Sequence, residues 1–312
     1  MLLLASTMAL IVEPRVLRNR FLRWVKVDVK GKLTGEAREK RLRKHFGQDA
    51  LTLATQWFDL CHRDEDLKDI KLTEKEKKQG LKMFAAAHYF LWHYPRNAVV
   101  LGDIFDMCEK YASGEHLWIW IRRIAKLEER VIFFPDDLKL VDSEIMALSI
   151  DGVDKKTWER KHETLPYDRK NCTHKHNHGG LKYQITLCAQ RKQCVNIYGP
   201  VRGGMGDKDM LERSGVLDLL RLGKLACCDR GYIAKKFMKK VSWPNPHDSK
   251  ETSNFKSHIR LRHETFNGRM SYYAAMNETW EHSIEQHGWA FRAIAVTIQY
   301  SLNNGASTLF QP

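Results

Sequence analysis

Residues 224–236 read KLACCDRGYIAKK. The run LACC has the length and composition of a short buried strand, and it ends on a single carboxylate, Asp229. Arg230 follows directly, and Lys235 and Lys236 lie just beyond. Two interpretations are open: Asp229 pairs with Arg230 as an ordinary strand-end residue, or the carboxylate and the basic residues contact different parts of one bound ligand.

A second apolar run, IMALSID at residues 145–151, also ends on an aspartate, Asp151. If the two strands are parallel neighbours, both carboxylates emerge at the same edge of the sheet, where open α/β sheets usually bind ligands. Adjacent carboxylates repel each other, and a divalent cation is the simplest group that neutralises them. The alternative is a turn that begins at Asp151 with Gly152.

A third acidic residue, Glu264, lies in HIRLRHETFNGRM at residues 258–270, where a long helix is predicted to begin near Ser257. Arg260 lies one turn earlier on the same helix face, so an ordinary ion pair between the two is one interpretation. The other is a ligand set of Asp151, Asp229 and Glu264, because Mg²⁺ and Mn²⁺ prefer oxygen ligands. Two such ions, about 3.5–4 Å apart, stabilise both the attacking and the leaving oxygen of a phosphodiester.

The charge of the chain is strongly positive and uneven. Among 312 residues the formal net charge is +14. Residues 1–50 carry 12 basic and 5 acidic side chains, residues 51–146 carry 14 and 17, and residues 147–312 carry 26 and 16. Two basic blocks around a near-neutral one favour a polyanionic partner, most often nucleic acid, although a solvated basic surface is the alternative.

Cysteine usage and hydropathy limit the class of protein further. The seven cysteines lack CxxC spacing, so a disulfide framework is not expected and a reducing compartment fits better. The opening MLLLASTMALIV is too short to span a bilayer and is interpreted as a buried or trimmed leader, with a signal peptide as the alternative. No membrane partner is predicted.

The first half of the chain reads as helical. Residues 15–45 form a basic segment, and Thr73 with Glu76 predicts a capped helix that Pro95 ends. Residues 97–129 read as helix, turn and helix, with an apolar stripe on the second helix formed by Leu117, Trp120, Ile121, Ile124 and Leu127. Trp118, Arg122, Arg123 and Lys126 are predicted on its other faces, as on a DNA-recognition helix or on any amphipathic helix with a basic side.

The second half reads as strand, strand, strand, helix, strand, helix. A hairpin is predicted around Arg191 and Lys192, and residues 209–223 predict a helix capped by Asp209. FFPDD (residues 133–137) is interpreted as the linker between the halves, and residues 242–254 as a second linker. Cys227 and Cys228 are expected to act as small buried hydrophobic residues.

Four motifs taken together, SIDGVD, GPVRGGMGDKDML, CCDRGY and RLRHETFNGRM, resemble the DDE transposases of the PIF/Harbinger superfamily. The resemblance covers roughly residues 147–310. Arg260 matches the arginine that precedes the family glutamate by four residues. Some relatives carry a tyrosine seven residues before that glutamate and a lysine seven residues after it, where this chain has Ser257 and Ser271.

This resemblance implies an α/β fold: an RNase H-like catalytic domain at residues 137–312, with a mixed five-stranded sheet flanked by helices. A basic, all-α, helix-turn-helix-like region at residues 1–136 would precede it. Asp151, Asp229 and Glu264 would hold two Mg²⁺ or Mn²⁺ ions, cleave double-stranded DNA at transposon ends and join the 3′ end to target DNA. The family further implies a homodimer or larger synaptic complex, a separate Myb/SANT-like DNA-binding partner and a nuclear location. The alternative is a domesticated DNA-binding protein with reduced or no nuclease activity.

Several other residues are assigned by motif. Lys182, Arg230, Lys235, Lys236, Lys239 and Arg260 are predicted to contact DNA, together with Arg122, Arg123 and Lys126. Asp207 matches an acidic position that recurs in the family, but the triad is complete without it. NCTHKHNH (residues 171–178) suggests zinc, yet no second ligand pair stands at finger spacing, so a polar loop that leads to Lys182 is favoured.

Overall fold

The computed structural model describes residues 13–27, 32–61, 74–108, 111–112, 114–134, 145–157, 171–173, 178–220 and 223–306. The apolar opening, Thr73 and the histidines at 174 and 176 lie outside these ranges. Within them, every helix is too short or too polar to traverse a lipid bilayer. The chain divides into two compact units: Met1–Glu128 with Tyr272–Glu278 and Trp289–Gly305, and Glu129–Ser271 with Thr279–Gly288 and Ala306–Pro312.

The first unit is helical in its described part. Its helices, in chain order, are α1 Pro14–Trp24, α2 Gly35–Phe46, α3 Ala50–Cys61, α4 Glu74–His93, α5 Ala98–Phe105 and α6 Glu115–Lys126, joined by the late helix α10 Ala274–Asn277 and most of α11 Ile284–Asn303. The short helix α7, Glu128–Val131, spans the boundary between the units. Aromatic rings fill the core, where Phe21 packs on Phe46 and Phe84, and Trp57 stacks on Trp120.

The late segments complete the core of this helical unit through buried hydrogen bonds. Gln56 donates to the Thr297 hydroxyl at 2.9 Å, and the Tyr300 hydroxyl donates to Asp59 at 2.6 Å. Removing one partner from such a buried pair leaves the other polar group unsatisfied, which is costly. The helical unit therefore depends on residues that lie more than 200 positions later in the chain.

The predicted helix-turn-helix stretch forms α5 and α6, and its apolar stripe is buried as expected. Trp118 does not lie on an open face: it is 6% exposed and packs edge-on against Phe90. Arg122 is exposed, with its guanidinium 5.6 Å from the Trp289 ring centroid, and Arg123 lies 4.8 Å from that of Trp120. The DNA contacts predicted for this helix stay a prediction.

Gly80 of α4 packs directly against the Trp120 ring of α6. A Cβ atom at this position would lie 2.3 Å from two carbons of the Trp120 ring. Gly80→Ala is therefore expected to destabilise the helical unit by about 1–3 kcal/mol, as measured by denaturant unfolding followed through tryptophan fluorescence. Gly35→Ala is the control, since no atom lies within 4 Å of its added Cβ. Equal stabilities of the two variants would contradict this packing.

The second unit contains a mixed sheet of six strands in the described residues: β1 Ile145–Lys156, β2 Cys172–Thr173, β3 His178–Cys188, β4 Cys194–Arg202, β5 Lys224–Cys228 and β6 Val241–Ser242. The principal order is β4–β3–β1–β5–β6. Strand β1 runs antiparallel to β3 and parallel to β5, and β3 and β4 form the predicted hairpin. The predicted strand count of five is wrong by one, because the two-residue β2 pairs with the start of β3.

Helices α8 Asp207–Ser214 and α9 Lys250–Tyr272 complete the second unit. One face of the sheet packs through Leu148, Ile150 and Cys228 against Leu211 of α8 and its neighbours. On the opposite face, Cys227 and Ala189 pack against Ile259 of α9. Because side chains alternate along a strand, the residues that lie two positions from Cys227 also face α9. Cys227 and Cys228 are both buried, as expected of small hydrophobic residues.

Several predicted boundaries in this unit are wrong. Strand β1 does not end on Asp151 but continues to Lys156, because residues 152–156 remain paired with β3. Helix α8 begins at Asp207 with Gly206 as its N-cap, so Asp209 is not the cap, and a left-handed Gly215 ends the helix after Ser214. Helix α9 begins at Lys250 rather than near residue 257.

Candidate active site at the carboxyl edge of the sheet

The register of β1 and β5 places the two aspartates side by side. The last parallel pair is Ile150 with Cys228, so Asp151 and Asp229 follow at the same level of neighbouring strands. Such strands are about 4.8 Å apart. Alternation then directs both carboxylates toward the face covered by α9, the face that Cys227 shares. The condition set in the sequence analysis, that the two strands are parallel neighbours, is met.

Glu264 reaches the same place from α9. Ile259 and His263 of this helix are buried, and the His263 imidazole lies 3.3 Å from the Ser149 carbonyl oxygen. Burial lowers the pKa of His263 to about 4, so its ring is neutral at physiological pH. Because Ile259 and His263 pack against the sheet, Arg260 and Glu264 lie on the part of α9 that lines a cleft with Asp151 and Asp229.

The three predicted carboxylates line a single cleft of about 40 Å³. Its other lining residues are Ser149, Ile150, Cys227, Cys228, Arg260 and His263. Burial raises the pKa of Cys227 to about 11 and that of Cys228 to about 12, so both thiols are protonated at neutral pH. Carboxylate oxygens, rather than thiolates, are therefore the anionic groups that this cleft offers to a ligand.

Asp151 is the most constrained of the three carboxylates. Its Oδ1 accepts a hydrogen bond from the Gly152 backbone N–H at 2.8 Å, and its Oδ2 accepts one from Asn267 Nδ2 at 3.2 Å. Burial and the nearby charges of Asp229 and Asp207 raise its pKa to about 6. The sequence interpretation missed Asn267, although its position three residues after Glu264 put it on the same helix face.

Arg260 neutralises part of the negative charge at the mouth of the cleft. Its guanidinium lies 3.3 Å from Asp229 Oδ1, and both side chains are about half exposed. Glu264 is exposed. Among the residues that the structure describes, no group of three His, Cys, Asp or Glu side chains is close enough to hold a metal ion. The structure thus brings the three carboxylates to one cleft without gathering them at ligand distance.

The chemistry of this cleft nevertheless suits a divalent cation. Its anionic ligands are oxygen atoms, which Mg²⁺ and Mn²⁺ prefer. Burial and the neighbouring charge of Asp229 raise the pKa of Asp151. A bound cation would reduce the repulsion between these two carboxylates. Arg260 contacts Asp229 with a side chain that is about half exposed. The residues present fit a divalent metal ion of the Mg²⁺ or Mn²⁺ type.

An open groove of about 580 Å³ adjoins the cleft along α9. It shares Arg260 and Glu264 with the cleft and is further lined by Asn254, Ser257, His258 and Leu261. The residues that differ from some family members, Ser257 and Ser271, are both exposed on this helix. The groove is large enough to receive part of a polymeric ligand that reaches the carboxylates.

The predicted DNA-contacting lysines of this unit fall into two groups. Lys182 is largely buried and lies 2.5 Å from Asp207, and Lys236 pairs with Glu212. Arg230, Lys235 and Lys239 are exposed. Lys236 is exposed as well. Arg230, Lys235 and Lys239 are the better candidates for phosphate contact, because Lys182 and Lys236 already have close anionic partners.

The sheet order, the flanking helices and the acidic edge are together consistent with an RNase H-like DDE domain. Residues 151–299 match the family model of the DDE superfamily endonuclease, a range that includes Asp151, Asp229 and Glu264. This match implies activity of the nuclease or transposase type. Searches of curated proteins and of solved structures give no match.

Proposed function

We propose that this protein is a metal-dependent DNA endonuclease and transposase of the PIF/Harbinger type. It cleaves phosphodiester bonds at transposon ends and joins the freed 3′ end to target DNA. The observation that carries this proposal is the convergence of Asp151, Asp229 and Glu264 on one cleft, from two parallel strands and one helix. The match of residues 151–299 to an endonuclease family supports the same reaction class.

In this proposal Asp151, Asp229 and Glu264 would hold two Mg²⁺ or Mn²⁺ ions. When bound, such ions lower the pKa of a water molecule and stabilise charge on the leaving oxygen. Asn267 and the Gly152 N–H fix the orientation of Asp151. Arg260, which lines both the cleft and the groove, offers charge-assisted hydrogen bonds to a phosphate of the substrate strand.

Duplex DNA is the proposed substrate and the main partner. The chain carries a net charge of +14, and the exposed Arg230, Lys235 and Lys239 follow Asp229 within ten residues. Such contacts provide sequence-independent, salt-sensitive affinity. Arg122, Arg123 and Lys126 of α6 would position the DNA ends. A nuclear location, a Myb/SANT-like partner and assembly as a homodimer or larger synaptic complex belong to the same proposal.

A domesticated DNA-binding protein without cleavage activity is the second candidate. Ser257 and Ser271 stand where some relatives carry tyrosine and lysine, and Asp229 is engaged by Arg260. Incubation of the full chain with supercoiled plasmid and Mg²⁺ or Mn²⁺ separates the candidates. Nicking that EDTA abolishes supports the endonuclease, and joining of a labelled 3′ end to plasmid supports transposition. DNA binding without nicking under any metal supports the second candidate.

Asn267→Ala is expected to lower the cleavage rate by about tenfold while DNA affinity stays unchanged, because Asp151 loses the donor that orients it. A plasmid-nicking time course together with fluorescence anisotropy of a labelled duplex measures both quantities. Ser271→Ala is the control, since Ser271 is exposed on the same helix and donates to the Asn267 carbonyl oxygen. Equal cleavage by the wild-type protein and Asn267→Ala would contradict an orienting role.

A further inference from the structure

Asp207 occupies a position that the three-carboxylate site does not explain. It is the first residue of α8, and its carboxylate lies beside Gly152 and Gly231, which follow Asp151 and Asp229 by one and two residues. A Cβ atom added at Gly231 would lie 2.6 Å from Asp207 Oδ2, and one added at Gly152 would lie 3.5 Å from Oδ1. The Asp207 carboxylate therefore occupies space that a side chain at position 231 would take, whereas its distance from position 152 is an ordinary contact.

The immediate surroundings of Asp207 are polar, and its own side chain is 31% exposed. Lys182 Nζ lies 2.5 Å from Asp207 Oδ1, and its side chain is only 12% exposed. Tyr232 is 1% exposed, and its hydroxyl lacks a hydrogen-bond partner among the described residues. A Cβ atom added at Gly152 would lie 3.3 Å from this hydroxyl and 3.5 Å from Asp207 Oδ1. Tyr232 and Asp207 therefore both lie next to Gly152. The Tyr232 hydroxyl is thus a buried polar group beside Asp207 that a single water molecule of an ion's shell would satisfy.

We infer that Asp207 is a fourth acidic residue of the cation site and that Lys182 is its counter-ion. This inference rests on the proposed function. Asp207 acts through Asp151 and Asp229: it adds negative charge at the edge of the sheet and so increases affinity for a divalent cation. Lys182 reduces that affinity, because its ammonium offsets the added charge at close range. Asp207 is thus a positioning residue, and Lys182 is not primarily a DNA contact.

The alternative is a purely structural ion pair at the start of α8, where an acidic residue also favours the helix dipole. The two roles predict different signs for the change in cation affinity when either partner is replaced. If the pair only holds the fold, loss of either partner disturbs the site in the same direction. If the pair sets the charge of the site, Asp207→Asn and Lys182→Gln change cation affinity in opposite directions.

Mn²⁺ titration of the full-length, metal-free protein by calorimetry tests the inference without relying on catalysis. We expect Asp207→Asn to weaken Mn²⁺ binding at least tenfold, and Lys182→Gln to tighten it about threefold. Asp209→Asn, an exposed residue in the same helical turn, should bind as the wild-type protein does. If Asp207→Asn fails to fold, Gly231→Ala displaces the Asp207 carboxylate without a change of charge and should weaken binding in the same direction.

Shifts of the same sign in the two charge variants, or unchanged affinity in Asp207→Asn, would overturn the inference. Asp151→Asn and Asp229→Asn separate this failure from failure of the proposed function. If these two variants lose Mn²⁺ while Asp207→Asn keeps it, only the fourth carboxylate is refuted. If they bind Mn²⁺ like the wild-type protein, or if the wild-type protein binds none, the metal-dependent function fails as well.

Discussion

Replacement of Asp229 by asparagine is expected to reduce metal-dependent plasmid nicking by about 1,000-fold, a loss of about 4 kcal/mol of transition-state stabilisation. The substitution keeps the size of the side chain and removes one of the two charges at the strand ends. Because Asp229 is about half exposed, the fold should tolerate the change. DNA affinity should stay the same or rise slightly, since a negative charge is lost beside the DNA.

Asp218→Asn is the matched control for this experiment. Asp218 belongs to the same unit and its side chain is 87% exposed, with Lys240 at 3.7 Å. This control should nick plasmid at the wild-type rate. Undiminished nicking by Asp229→Asn, with Asp218→Asn equally active, would remove Asp229 from the proposed chemistry.

The second large effect is expected at Asp151, where activity and stability should change in opposite directions. Asp151→Asn should lose nicking to a similar degree, yet the metal-free variant should be more stable than the wild-type protein at pH 7.5. The reason is the pKa of Asp151, which burial and the charge of Asp229 raise from 3.8 to about 6 in the folded protein.

The sign of this pH effect follows from proton linkage. The folded state binds the Asp151 proton more tightly than the unfolded state, so the stabilising contribution is present below about pH 4 and lost as the pH rises through 6. At neutral pH the ionised carboxylate costs about 1–3 kcal/mol of folding free energy. Asparagine avoids this cost, and Asn267 can turn its amide so that its unsatisfied Oδ1 accepts from the new group.

Thermal unfolding at pH 7.5 and at pH 4 measures this effect. We expect Asp151→Asn to raise Tm by roughly 2–8 °C at pH 7.5 and to have little effect at pH 4. Mg²⁺ or Mn²⁺ should raise the Tm of the wild-type protein more than that of the variant, because ligand binding stabilises the folded state. A variant that is less stable at both pH values would contradict the assigned environment of Asp151.

Much of the site could be predicted because it depends on local pattern. The apolar runs before Asp151 and Asp229 predicted two strands. Their parallel pairing was a condition of the interpretation, which the structure meets. Glu264 and Arg260 share a helix face through simple spacing. The stripe from Leu117 to Leu127 was likewise readable from helical periodicity.

The remaining features depend on contacts between distant parts of the chain. Strand β1 runs past Asp151 because β3 continues to pair with it, although Gly, Asp and Lys are poor strand formers. The late helical segments join the first unit through pairs such as Gln56 with Thr297, which no local pattern reveals. Asp207 was set aside because the triad was complete without it, and Lys182, 25 residues earlier, pairs with it only in the folded chain.

The most direct measurement is the crystal structure of the full chain grown with Mn²⁺, with anomalous diffraction recorded to locate manganese. The proposal predicts anomalous peaks in the cleft, with carboxylate oxygens of Asp151, Asp229 and Glu264 at 2.0–2.3 Å or so from manganese, and with Arg260 turned away from Asp229. Manganese bound elsewhere, or a Glu264 side chain that points away while Arg260 keeps its contact with Asp229, would contradict it.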